Sequence, residues 1–251
     1  MPAGTFAIVT AYNEAERIGA TLDALERAFP GASLFVGDDG SSDATAQIAR
    51  GCGAHVVRSE RVIGKGGAAT LAVEAALRAA RAGPGPAEDG PGGVDGDGGA
   101  GERGAVFLLC DGDLGESAQA LSALTSAVQR GEADVAVAAF ATRVGGGFGL
   151  ALGFARWAIR RRCGLDTVAP ISGQRALSEA ALADVLPFAH GYGMEVGMTI
   201  DAVRAGHRVR EIELELTHRA SARTLAGFAH RGAQLVDFAR AYLARGRLAR
   251  A

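Results

Sequence analysis

The chain has 251 residues, 48% of them hydrophobic, with a formal net charge of −2 and three cysteines. That is enough apolar material for one full core. The near-neutral balance removes any global electrostatic drive toward nucleic acid, and Cys52, Cys110 and Cys163 are too few and too scattered for a disulfide framework or a zinc cage. No stretch reaches about 18 uninterrupted apolar residues, and no basic n-region or cleavage site opens the sequence, so a cytoplasmic, soluble chain is expected.

The run Phe6–Thr10 is of the kind buried in parallel sheets, and Asn13 with Glu16 three residues later predicts a helix start at Asn13. Ile18, Leu22, Leu25 and Phe29 recur at helical spacing until Pro30-Gly31 stops the pattern. Leu34–Val36 makes a second strand, followed by the loop Gly37-Asp38-Asp39-Gly40-Ser41-Ser42-Asp43 and a helix to about Ala49; Ala54–Arg58 is a third strand. This β-α-β-α-β order predicts a right-handed, mostly parallel sheet flanked by helices, an α/β fold with ligands at the strand C-termini. A helix is expected from about Gly67 to Ala82. Gly83 to Gly104, rich in Gly and Pro and poor in apolar residues, is expected to be a disordered surface insertion within one domain.

Ala105–Cys110 is a further strand, ending directly on Asp111-Gly112-Asp113. Ser117 is expected to cap a helix carrying Leu121, Leu124 and Val128, and Val135–Ala138 to form a buried strand. Gly145-Gly146-Gly147 suits a hinge. Helices follow over Gly149–Arg162, Ser178–Leu186 and Glu195–Ala205, with a turn-rich stretch from Pro187 to Gly193. Arg210–Leu216 alternates like a strand, and Leu225, Phe228, Leu235, Phe238 and Tyr242 form one stripe of a long final helix.

Two carboxylates two residues apart on an extended chain share a face, so Asp111 and Asp113 point into one crevice. They repel unless a cation lies between them, and the natural one is Mg²⁺ or Mn²⁺ completed by phosphate oxygens and water. The competing reading is a plain turn, as Asp95-Gly96-Asp97 illustrates. In Thr10-Ala11-Tyr12-Asn13-Glu14, Tyr12 can stack on a base while Glu14 or a backbone group bonds base or ribose; the alternative is an N-cap loop. Asp38 and Asp39 can accept from ribose hydroxyls or a uracil N–H, or simply shape a turn. Gly64-Lys65-Gly66-Gly67 offers an ammonium, amides and a helix N-terminus to phosphate, although the P-loop spacing is absent.

Ser172-Gly173-Gln174-Arg175 offers a hydroxyl, close backbone approach and a cation to an acceptor or phosphate. Glu195 opens a helix in apolar surroundings, either as a proton acceptor or as a carboxylate stabilised by the helix dipole. His218 suits a third metal ligand, and Arg219 and Arg223 a clamp for diphosphate or acceptor, against the ordinary alternative of surface residues. After Thr217 seven arginines face the single acid Asp237, so the last helix is either a solvated face or a docking surface for an anionic acceptor or membrane phosphates.

Taken in order, TAYNEAERI, VGDDGSSDAT, GKGGAA, LLCDGDL, ISGQRAL and GYGMEVGM resemble the family 2 glycosyltransferases of GT-A fold, over nearly all the chain except Gly83 to Gly104. Within that family the motifs are most similar to the dolichyl-phosphate mannose synthase and glucosyl-3-phosphoglycerate synthase groups. The resemblance implies one Rossmann-like domain whose residues 1–143 bind a UDP- or GDP-linked sugar and whose smaller part, 144–251, binds the acceptor. By the resemblance Ala11, Tyr12, Glu14, Asp39, Lys65, Asp111 and Gly112 line the nucleotide-sugar site. Asp113 binds Mg²⁺ or Mn²⁺ with Asp111 nearby, and His218 matches a metal-binding histidine of the phosphoglycerate-type enzymes. The dolichyl-type enzymes carry an acidic residue before the arginine where this chain has His218, which weakens a lipid-phosphate acceptor.

The implied activity is metal-dependent transfer of a sugar to a hydroxyl or phosphate acceptor such as a polyprenyl phosphate, a phosphoglycerate-like molecule or a cell-envelope glycan. A homodimer and a peripheral membrane contact accompany it as expectations. A nucleotidyltransferase is the enzymatic alternative, disfavoured because its Gly-rich basic first turn is replaced by AYNEAERI; a catalytically inactive sugar-nucleotide-binding module is the other.

Overall fold

The computed structural model describes residues 4–82, 104–140, 149–216 and 225–246. Seven strands build one sheet: β1 (Thr5–Ala11), β2 (Ser33–Asp38), β3 (His55–Arg58), β4 (Val106–Asp111), β5 (Val135–Phe140), β6 (Arg175–Ser178) and β7 (Val209–Leu214), in the order β3-β2-β1-β4-β6-β5-β7. Every ladder is parallel except those of β6, which runs antiparallel to both β4 and β5.

The inner strands β1, β2, β4 and β5 are largely apolar because both faces are covered, whereas the edge strands β3 and β7 carry His55, Arg58, Arg210, Glu211 and Glu213. Ala7, Val9, Leu108 and Cys110 pack on one side against α1 (Ile18–Ala28), α2 (Thr45–Gly51) and α4 (Ser122–Gln129). Ile8, Phe35, Phe107 and Leu109 pack on the other against α3 (Lys65–Ala82), α6 (Glu179–Val185) and α7 (Met194–Arg204). Each fully buried Ile or Leu contributes about 2 kcal/mol. A third cluster, with Ala155, Ile159, Val196, Ile200 and Phe238, joins α5 (Gly149–Cys163) and α8 (Leu225–Ala244) to α7.

The parallel sheet flanked by helices is the one expected. Several local features differ. Helix α1 starts at Ile18, not Asn13: Asn13 sits at φ 55°, donates its N–H to Ser41 Oγ at 2.9 Å and accepts from the Ser42 amide at 2.8 Å. Its side chain ties two loops together instead of capping a helix. Ser117 donates to the Leu114 carbonyl at 2.8 Å, and a 3-10 turn over Gly115–Leu121 precedes α4. Ser178 does cap α6, accepting from the Ala181 amide at 3.2 Å, but it also ends β6, a four-residue strand too short to leave a periodic pattern. The insertion of 83–104 and the Gly145–Gly147 hinge lie outside the described residues, Gly104 excepted.

Candidate active site

The C-terminal ends of β1, β2 and β4 lie side by side, with Ala11 opposite Asp38 and Thr10 opposite Asp111 in the ladders. The three acidic or polar loops of the first half of the sequence therefore share one edge, as an α/β sheet requires of its ligand site. Asp39 is 6% exposed, and its carboxylate accepts from the Ile63 amide at 2.7 Å and the Gly64 amide at 3.0 Å. Burial pushes its pKa up, the two amides pull it down, and neighbouring Asp38 adds to the rise. Asp39 thus shapes the loop that delivers Lys65. Tyr12 is half exposed beside this edge, at 49%. The Glu14 amide donates to Thr45 Oγ1 at 2.8 Å, so the loop after β1 is anchored on α2.

Lys65, the first residue of α3, places its ammonium 2.6 Å from Asp111 Oδ1 and 2.8 Å from Glu195 Oε1. Burial opposes its charge, but the two carboxylates outweigh that and raise its pKa. Asp111 shows the complement: burial would raise it, and the charge of Lys65 with hydrogen bonds from Lys65, Gln174 and Thr10 holds it below the usual carboxylate range. Gln174 Nε2 donates to Asp111 Oδ2 at 2.9 Å, and Ser172 Oγ donates to Gln174 Oε1 at 3.2 Å. Gly173 closes this side: a Cβ there would lie 2.3 Å from Lys65 Nζ and 3.0 Å from Asp111 Oδ2. Gly112 is similarly confined, its N–H on the Thr10 carbonyl at 3.0 Å and its carbonyl accepting from Thr21 Oγ1 at 2.9 Å.

Sequence distance hides this grouping, because residues 10, 65, 111, 174 and 195 come from five elements. Two members carried no signal of their own. Thr10 is an ordinary strand residue whose hydroxyl reaches Asp111 Oδ1 at 3.3 Å, and His190, passed over in the sequence, packs its ring against Gly64.

Arg175 requires a correction. It is 1% exposed and donates to the Ser172 carbonyl at 2.8 Å, Thr199 Oγ1 at 2.8 Å and the Pro170 carbonyl at 3.4 Å. Burial pulls its pKa down to about 10, with Glu195 and Glu211 opposing. A guanidinium so enclosed has no face left for an acceptor; it braces the loop from beneath while Ser172, Gly173 and Gln174 form the loop itself. Glu195 is 4% exposed and paired with Lys65.

Asp111 and Asp113 supply the oxygen donors a hard divalent cation takes. Both oxygens of Asp111 are engaged by Lys65, Thr10 and Gln174. Among the described residues no three His, Cys, Asp or Glu side chains converge as a metal cage. His218, Arg219 and Arg223 lie outside the described residues. Among the described residues no helix is long and apolar enough to cross a membrane.

The family Glycosyl transferase family 2 matches residues 6–78. No curated protein matches the sequence. Among solved structures, glucosyl-3-phosphoglycerate synthase from Mycobacterium tuberculosis in complex with Mn²⁺, uridine diphosphate and phosphoglyceric acid superimposes with a TM-score of 0.69 at 25% identity, over 98% of this chain and 80% of that one. The same enzyme with Mg²⁺ and uridine diphosphate gives 0.68 at 24% identity over 97% and 79%. With Mn²⁺, UDP-glucose and glycerol 3-phosphate it gives 0.66 at 24% over 97% and 80%. The family match spans β1 to α3, and the GT-A architecture shared with these glycosyltransferase structures extends over nearly the whole length of this chain.

Proposed function

We propose that the chain moves a hexosyl group from a UDP-linked sugar to a small phosphorylated acceptor bearing a hydroxyl, of the phosphoglycerate class. The observation that carries this reading is the Lys65 ammonium held between Asp111 and Glu195 at the C-terminal edge of the sheet. The structural neighbours crystallised with UDP, UDP-glucose and phosphoglyceric acid support the choice of donor and acceptor.

In this reading the acceptor hydroxyl oxygen replaces the β-phosphate oxygen at the anomeric carbon, UDP departs, and the hydroxyl proton passes to the departing phosphate oxygen and on to solvent. Negative charge grows on the departing diphosphate, and stabilising it in a dry, preorganised site is the main catalytic task. Lys65 is poised for it: its pKa is raised, so it stays charged, and it needs only a short swing from Asp111 to a phosphate oxygen. The N-terminus of α3, held in place by the Ile63 and Gly64 amides that Asp39 binds, faces the same phosphates. Tyr12 and Glu14 flank the base and ribose. Asp113, with Asp111 and His218, would hold a Mn²⁺ or Mg²⁺ ion, which when bound supplies further neutralisation of the diphosphate. Glu195, freed as Lys65 turns to phosphate, accepts hydrogen bonds from sugar hydroxyls. Ser172, Gly173, Gln174, Arg219 and Arg223 belong to the acceptor side.

The test is UDP release and product formation from UDP- and GDP-sugars with Mn²⁺, with and without 3-phosphoglycerate, alongside Asp113→Ala. Turnover with one UDP-sugar, stimulated by the acceptor and lost in Asp113→Ala and with EDTA, is expected. Cleavage of no donor under any of these conditions overturns the reading in favour of a binding module.

A further inference from the structure

The 3-10 turn Gly191–Gly193 is compressed between two elements that are far apart in sequence. On one side lies α8. Asp237 Oδ2 accepts the Tyr192 amide at 3.1 Å, and its side chain is only 13% exposed. Gly191 has φ 56°, and a Cβ there would sit 2.1 Å from Asp237 Oδ2; a Cβ on Gly193 would lie 2.8 Å from the Asp237 carbonyl. Only glycine lets helix and turn approach so closely.

On the other side lies the phosphate-facing loop. A Cβ on Gly64 would be 3.2 Å from Gly191 Cα, one on Gly66 would be 1.9 Å from the Ala189 carbonyl, and the Phe188 amide donates to Thr70 Oγ1 at 3.2 Å. Residues 188–193 therefore transmit the position of α8 to the loop carrying Lys65. The same segment leads into Glu195, the second anionic partner of Lys65. Helix α8 is itself locked in register: Arg245 Nε donates to Asp201 at 2.7 Å, Gly197 gives the Arg245 guanidinium room against α7, and Arg204 donates to the Gly246 carbonyl at 2.9 Å.

We propose that Asp237 is a positioning residue of the donor site, holding the Gly191–Gly193 turn so that Lys65 and Glu195 stay aligned with the diphosphate and sugar. This makes the C-terminal helix part of the glycosyl-transfer machinery although it touches no reacting atom. The inference rests on the proposed sugar transfer for its kinetic readout, and on the fold alone for its structural one.

The experiment measures amide hydrogen exchange at Tyr192 and Gly193, thermal stability, and donor KM and kcat with UDP-glucose and Mn²⁺, in the wild type, Asp237→Ala, Asp237→Asn and Leu243→Ala, a control at an exposed position of the same helix. Expected for Asp237→Ala is exchange at Tyr192 accelerated about tenfold, with a donor kcat/KM about tenfold lower, the effect of one lost buried hydrogen bond. Asp237→Asn keeps an oxygen acceptor and is expected to stay within about threefold of wild type on both; Leu243→Ala is expected to match wild type. Unchanged exchange at Tyr192, or faster exchange with wild-type kinetics, overturns the proposal, and so does Asp237→Asn failing as fully as Asp237→Ala. If Asp237→Ala does not fold, Gly191→Ala, which drives a methyl into the same carboxylate, takes its place with the same expected losses. A wild-type protein inert toward the donor sinks the functional reading alone, because the exchange measurement still decides whether Asp237 holds the turn.

Discussion

Two regions of the molecule each bury a cation, about one turn of chain from each other's partners, and they do opposite things with it. Lys65 keeps 22% of its side chain exposed and faces two carboxylates; Arg175 is 1% exposed and faces two carbonyls and a hydroxyl. The environment raises the pKa of the first and lowers that of the second. A cation held by carboxylates at an open sheet edge can exchange them for phosphate oxygens. One wired to backbone carbonyls in the interior holds a loop, because leaving would strand buried acceptors.

Substitutions at these two regions should separate along that line. Replacing Lys65 by Ala removes the cation and leaves Asp111 and Glu195 without their shared counter-charge. Donor turnover is expected to fall by about 10³-fold, the scale of losing one preorganised charge stabiliser, measured as UDP release. Its folding cost should fall below the roughly 3–5 kcal/mol of a broken fully buried pair, since water reaches the site. Arg175→Met is the counterpart: about 3 kcal/mol of stability lost in urea unfolding, with three buried acceptors left unpaired, and a donor KM in the folded fraction close to wild type. A Lys65 variant that keeps wild-type turnover, or an Arg175 variant that loses turnover while as stable as wild type, breaks the comparison.

Gly173→Ala probes the wall between the two regions. The new methyl meets the tip of a flexible lysine, so stability should hardly change, while Lys65 is pushed off Asp111 and kcat/KM drops about tenfold. Steady-state kinetics beside a melting curve distinguishes this from general damage.

The contrast also marks what a sequence alone can tell. The buried strands, the order of acidic loops and the arrival of Asp39, Lys65 and Asp111 at one edge follow from apolar runs and the parallel-sheet rule, so they were legible. Arg175 and Lys65 look alike in sequence, each a cation beside glycine or glutamine in a turn-like stretch. Their difference lies in partners 24 to 130 residues away, such as Thr199 for one and Glu195 for the other. The antiparallel β6 was hidden for the same reason: four residues carry no period, and the strand exists because β4 and β5 leave a slot between them. Asn13 with Glu16 three residues on has the spacing of a helix cap, but the Asn13 backbone and side chain instead tie two loops together through Ser41 and Ser42.

The smallest effect concerns the Gln174 bond to Asp111. Asp111 has a folded pKa below its ordinary value of about 4, so ionised Asp111 contributes stability above that pH, and the contribution is lost as pH falls through the folded value. Gln174→Leu removes one of the donors that depress it. At pH 7 the variant should lose about 1 kcal/mol or less, since a third of the Asp111 side chain faces solvent, plus a pH-independent share for the Ser172 hydroxyl. Below the folded pKa Asp111 is protonated in both proteins, so the difference in urea midpoint should hold steady from neutral pH to the ordinary carboxylate value and narrow as pH falls from there through the folded pKa. A gap that stays constant across that range would assign the whole effect to Ser172 and packing, and would remove Gln174 from the set of groups that keep Asp111 charged opposite Lys65.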